Sequence, residues 1–183
     1  MANLTHVELI TPERLLFSGE AEAVVMRTDG GDITFLANHM DYIAAVDICV
    51  VRIQGVQRSV SPSEGVAQLD ASPVEAAKGE PASTSEVRAA VHGGFVMVAE
   101  NRVTIAAGVA ELAEDIDVAR AERALESAEA AGGDPQLGAV AAPATEQGAS
   151  EQVSEVVGLN AAAARARARL QAAAQLEANL SHM

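Results

Sequence analysis

Apolar and polar positions alternate in short runs through the first third of the chain, the period of half-buried strands. Leu4–Ile10 opens as one strand, Thr11-Pro12-Glu13-Arg14 reads as a turn, and Leu15-Leu16-Phe17 returns as a second strand. Ala21–Thr28 predicts a third, closed by Asp29-Gly30-Gly31-Asp32, and Ile33–Leu36 a short fourth. Tyr42–Ile53 is the most hydrophobic run, and its β-branched content predicts a buried strand or a strand pair. Residues 54–85 break the pattern with Ser, Pro, Gly, Ala and Glu, the composition of a long mobile loop. Val87, Ala89 and Val91 then alternate with Arg88, Ala90 and His92. Gly93-Gly94 is expected to turn the chain, Phe95–Ala99 to form a strand, Glu100-Asn101 a tight turn, and Arg102–Ala106 another strand.

From Asp115 the pattern changes. Residues 115–131 contain no Gly, Pro or Thr and are mostly Ala, Glu, Arg and Leu, which predicts a helix. Residues 132–159 read as a linker, low in complexity as far as 153, and Asn160 is placed as the N-cap of a last helix over 161–180. Leu170, Ala173 and Leu176 would line one side of that helix. Alanine-rich helices bury little area. At ~25 cal/mol/Å² their pairing is marginal and opens at modest cost. The expected organisation is therefore a β domain over 1–110, with the insertion 54–85, and a helical domain over 111–183.

Composition sharpens this division. Alanine inflates the 49% apolar content, and three Phe, one Tyr and no Trp leave the large apolar side chains concentrated in the first half. A net charge of −14 excludes a basic stripe able to neutralise nucleic-acid phosphates. The single cysteine, Cys49, lies in an apolar run and predicts a buried thiol. No stretch of about 18 apolar residues is present, so membrane association is expected only through partners. Enzyme chemistry finds no foothold. His6, His39, His92 and His182 are scattered without metal-ligand spacing, no G-x-S-x-G occurs, and the Asp29–Asp32 loop lacks the length and Lys-Ser/Thr ending of a phosphate loop. Glu114-Asp115, at a helix start, needs no catalytic role.

Three stretches together carry a family resemblance: VELITPERLLFSGEAEAVVMRTDGGDITFL, GGFVMVAENRVTI, and IDVARA at the helix start. With them the chain resembles the epsilon subunit of bacterial F-type ATP synthases over residues 3–53 and 86–130, and weakly over the final helix. The resemblance implies a ten-stranded β-sandwich followed by an α-helical hairpin. It also implies a non-catalytic rotor subunit of the central stalk, peripheral on the cytoplasmic face of the bacterial cell membrane. The sandwich would contact the gamma subunit and the c-ring, and the helices would inhibit ATP hydrolysis by the alpha and beta subunits of the catalytic head. No cofactor is required, although some relatives bind a regulatory ATP. The alternative reading is a free-standing β-sandwich interaction or nucleotide-sensing module.

The chain departs from the family pattern in the lengths of 54–85 and 132–159, and in Leu36-Ala37-Asn38-His39, where the family reads leucine-Pro-Gly-His. Carried over residue by residue, Ile116–Ala121 matches an I/L-D-x-x-R-A motif for regulatory ATP, with Glu111, Asp117, Arg120, Arg165 and Arg169 as its expected ligands. Arg165 and Arg169 share a helix face, whereas Arg167 points roughly 200° away from Arg165 at ~100° per residue. Arg165, Arg167 and Arg169 are also the expected contact to an acidic segment of the catalytic head, and Asp32 with His39 the expected c-ring contact. Each has an ordinary explanation as well: a helix-start acid, a solvated basic face, a turn aspartate and a structural histidine.

Overall fold

The computed structural model describes the backbone of residues 3–60, 85–132, 134 and 151–180, and side chains within 3–57, 86–132, 134 and 160–174. Nine strands are described: β1 Thr5–Ile10, β2 Leu15–Ala21, β3 Ala23–Thr28, β4 Gly31–Leu36, β5 Tyr42–Val56, β6 Arg58–Val60, β7 Ser85–Ala99, β8 Arg102–Ala107 and β9 Ala110–Leu112. They form one sheet in the order β4-β3-β5-β7-β8-β1-β2-β6, with β9 alongside β7. Neighbours are antiparallel except β1 and β8, which run parallel from His6↔Arg102 to Ile10↔Ala106. The sheet folds over on itself around a single core in which Val7, Leu9, Phe35, Ile53, Val96 and Ile105 have no exposed surface.

The fold-over is made by β5 and β7, both 15 residues long and paired in one register from Tyr42↔Val98 to Ile53↔Val87. Their inward-facing parity switches partway. Val87, Ala89 and Val91 face the core before the switch, and Val96 and Val98 after it. Gly93 and Gly94 sit at the switch with φ of 87° and 147°, and a Cβ on Gly94 would lie 2.2 Å from the Ala106 carbonyl oxygen. The glycine pair therefore bends a continuous strand rather than turning the chain, and 87–99 is one strand instead of two. The nine strands described do not bear out the ten that the resemblance implies. Glu100 and Asn101 do turn the chain, with φ of 50° and 59°. The Asn101 amide locks that turn to both neighbouring segments, donating to the Leu4 carbonyl and accepting from the Asn38 N–H, each at 2.8 Å.

Other expected boundaries move. Residues 54–56 continue β5 and 58–60 form β6 on the edge at β2, so the first insertion is shorter than 54–85; residues 61–84 lie outside the described set. The boundary expected at residue 110 falls inside β9, which pairs with β7 and brings Ala110 into the core. A 3-10 turn at Ala113–Asp115 leads to α1, Val118–Ala130. The second helix, α2, runs from Glu151 to Leu180, so 151–159 is helix rather than linker; residues 135–150 are outside the described set. Asn160 is not a cap. It is buried within α2, where its Oδ1 accepts the Asp134 N–H at 2.7 Å and ties the chain after α1 to the middle of α2.

α2 packs on α1 and lies across the outer face of β5 and β7. Its seam with the sheet is built of small side chains: Ala168, Ala172 and Ala173 meet Ala90, Ala113 and Ile116, flanked by Ile48 and Val50.

Candidate functional site

The chemistry of this chain gathers along the two flanks of α2. On one flank, Arg169 reaches Glu111 of β9, its Nε and Nη2 donating to Glu111 Oε1 at 2.9 and 2.5 Å. The hydrogen bond from Arg169 holds the Glu111 carboxyl below its ordinary pKa, against the opposing effect of burial and with help from Arg169, His92 and Arg120 charges. His92, on the outer face of β7, lies in the same cluster. Burial, helped by the charges of Arg169 and Arg165 and opposed by Glu111, lowers its pKa to about 4. Its Nε2 is buried without a hydrogen-bond partner among the described residues.

Asp117 is a helix cap. Its carboxylate accepts the backbone N–H of Arg120 at 3.0 Å, which satisfies one of the orphan donors at the start of α1. The Arg120 side chain is exposed and adds its charge to the field at Glu111. The structure thus brings Glu111, Arg120, Arg165 and Arg169 to one flank, uses the Asp117 carboxylate to cap α1, and sends Arg167 to the other flank.

That second flank is a cleft of ≈ 550 Å³ between α2 and the β3–β5 ladder, lined by Arg27, Asp32, Cys49, Arg52, Arg167 and Gln171 among others. Asp32 is one residue into β4 rather than at the hairpin tip, opposite Arg27 in the ladder and 3.8 Å from its guanidinium. Its side chain is 79% exposed. Arg27 also lies 3.7 Å from Asp47, whose pKa is raised by burial against the lowering effect of Arg27. Cys49 is partly buried, its thiol pushed up to about 11, so it stays protonated and unreactive near neutral pH. His39 is beyond the far end of β4 from Asp32, a run of about 3.4 Å per residue, so the two stand at opposite ends of that strand. Its ring packs edge-on against Phe35 at 5.0 Å and faces Tyr42, and Nδ1 meets the Met40 carbonyl at 2.8 Å. Within the chain these contacts hold the His39 ring in place.

Two features were not drawn from the sequence. His92 joins the Glu111 cluster because Arg88, Ala90 and His92 share the outer face of β7; small Ala90 between two polar residues was the available sign that something covers that face. An apolar patch also forms where Ile43 pairs with Met97 and Ala45 with Phe95, leaving Ile43, Phe95 and Met97 more than half exposed. The parity switch at Gly93-Gly94 puts them outside, and simple alternation hides it. Among the described residues no three His, Cys, Asp or Glu side chains converge as a metal site, and no helix is long and apolar enough to cross a membrane.

The family model for the ATP synthase, Delta/Epsilon chain, beta-sandwich domain matches residues 4–77. The ATP synthase epsilon chain of Streptomyces griseus is 39% identical over 128 residues, covering 70% of this chain and 82% of that one. The Thermobifida fusca epsilon chain is 41% identical over 125 residues, covering 67% and 73%. Among solved structures, a chain of the Euglena gracilis mitochondrial ATP synthase (OSCP/F1/c-ring, rotational state 1) aligns with a TM-score of 0.50 at 18% identity, over 97% of this chain and 82% of that one, a likeness of fold. With two epsilon chains matched at 39% and 41% identity over 82% and 73% of their length, the chain belongs to the ATP synthase epsilon chain family.

Proposed function

We propose that this chain is a non-catalytic rotor subunit of a proton-translocating F-type ATP synthase, and that its C-terminal helices restrain ATP hydrolysis. It would sit at the cytoplasmic face of the bacterial cell membrane, held there by its partners. The observation that carries the reading is the contrast between a rigid sandwich and a helix laid on it through alanines. Such a seam holds α2 in place yet lets it leave, since an alanine methyl buries only about 0.8 kcal/mol, against about 1.5–3 for a Val, Leu, Ile or Phe side chain. Once released, Arg165, Arg167 and Arg169 become available to an acidic surface of the catalytic head. The exposed apolar patch of Ile43, Phe95 and Met97 suits the gamma subunit. Exposed Asp32 suits a polar contact with the c-ring.

A regulatory ATP on the Glu111 flank would be held by Arg120 and Arg165, with Arg169 exchanging the Glu111 carboxylate for a phosphate. Calorimetric titration of the isolated chain tests this, and no heat at millimolar ATP removes it. The rotor reading is tested with assembled complexes carrying the full chain or one ending after Asp115, beyond β9. Truncation is expected to leave binding to gamma intact and to accelerate ATP hydrolysis. Equal rates would mean that the helices are no brake, and loss of gamma binding would mean that the sandwich is not the docking element.

A further inference from the structure

Three of the twelve Lys and Arg residues of this acidic chain converge on the cleft between α2 and the β3–β5 ladder: Arg27 from β3, Arg52 from β5 and Arg167 from α2. Two of the three lack a local counter-charge among the described residues. Arg27 meets Asp32 and Asp47 only at 3.8 and 3.7 Å, whereas Arg52 and Arg167 make no ion pair among the described residues. A fourth guanidinium lies beside Arg52. Arg88 of β7 is directly opposite Arg52 in the ladder, and like charges in that relation repel. The Arg88 side chain is only 9% exposed. Its Nε is paired with Glu86 at 2.8 Å, and its Nη1 is buried with no partner among the described residues. Arg88 does not itself line the cleft, and its effect there is the repulsion it exerts on Arg52.

Packing alone does not require this arrangement, because the alanine seam beside the cleft already fixes α2 to the sheet. An anion in the cleft would relieve the repulsion and accept donors from three separate elements. Guanidinium forks match tetrahedral oxyanions in geometry. The Cys49 thiol stays protonated, so the negative charge lining the cleft is that of Asp32, which Arg27 faces at 3.8 Å.

We propose that the cleft binds a phosphate-bearing anion, held by Arg27 and Arg52 from the sheet and Arg167 from α2, so that occupancy clamps α2 against the sandwich. The site is on the opposite flank of α2 from Glu111 and Arg120, and the proposal stands apart from the rotor reading. The source of the phosphate is either a free metabolite or a lipid headgroup.

The experiment uses the isolated full chain with two probes: inorganic pyrophosphate, by calorimetry and thermal unfolding, and vesicles of phosphatidylglycerol against phosphatidylcholine, by co-sedimentation. Saturable pyrophosphate binding with a raised midpoint points to a free phosphate compound; binding confined to phosphatidylglycerol vesicles points to a lipid headgroup. In either case Arg52→Gln/Arg167→Gln is expected to weaken binding at least tenfold, Arg52→Lys/Arg167→Lys by less, and Arg102→Gln, which pairs with Glu8 away from the cleft, not at all. Arg52→Gln alone should hold or raise the midpoint without phosphate, since it removes a repelling neighbour of Arg88, while diminishing the gain from pyrophosphate. Failure of both probes, binding that survives the double Gln substitution, or an equal loss in Arg102→Gln would overturn the assignment.

Discussion

The sandwich core and the α2 seam are neighbours on opposite faces of the same strands, yet they are closed by different chemistry. Inside, β5 and β7 present Val46, Val51, Ile53, Val91 and Val96 to Phe35 and Leu9, all essentially without exposed surface. Outside, the same strands present Ile48, Val50 and Ala90 to alanines of α2, with arginines on both flanks. The inner face gains its stability from area. The outer face gains closeness without much area, and directs its specificity through charge. One sheet can thus carry a permanent contact on one side and a reversible one on the other.

The largest expected effect breaks the inner side. Phe35→Ala removes a fully buried ring and should cost about 3–5 kcal/mol in urea unfolding, with sandwich and helix signals lost together. Should the helix signal alone move, the hierarchy argued here is inverted. A smaller effect is expected at the outer seam. Ala168→Asp places a charge against Ala90 and Ala113 and should undock α2 for about 1–3 kcal/mol, with hydrogen exchange rising over 160–174 while β-strand amides stay protected. Coincident exchange in both regions would show a single cooperative unit.

The smallest effect concerns acid. His92 is neutral in the fold down to about 4, whereas the unfolded chain takes up its proton near 6.5, so stability is present above 6.5 and declines as pH falls towards 4. Glu111, held low by Arg169, adds a further loss as pH falls below the usual carboxylate range. His92→Asn should flatten the upper part of that decline and Glu111→Gln the lower part, read as thermal midpoints between pH 7 and 3.5. An unchanged slope in His92→Asn would remove the histidine from the account.

Most strands were legible because alternation survives wherever one face is packed and the other is not, as in β1 and β8. The Glu100-Asn101 turn was legible from its residue types. β7 was misread at Gly93-Gly94 because a glycine pair serves equally for a turn and for a bend, and only the facing Ala106 backbone decides between them. The start of α2 was placed at Asn160 because asparagine is a good cap. Tertiary contact with Asp134 instead uses that side chain mid-helix. At the candidate site, the i, i+4 pairing of Arg165 with Arg169 and the opposed direction of Arg167 follow from helix geometry alone. Their partners Glu111, Arg27 and Arg52 come from distant strands, and no local pattern announces which strand lies beneath which helix face.

The passage of β5 and β7 through the fold-over without a break has a mechanical consequence. Two layers joined by loops would hinge when one is pushed sideways, and the linking segments would stretch before any load crossed. Here the same two backbones belong to both layers, and their ladder keeps one register from Tyr42↔Val98 to Ile53↔Val87. A sideways force along those strands is shared by many hydrogen bonds in shear rather than opening them singly like a zip. The glycine bend supplies curvature without a joint, so a twist applied at the Ile43–Met97 end arrives at the Arg52 end with little slack.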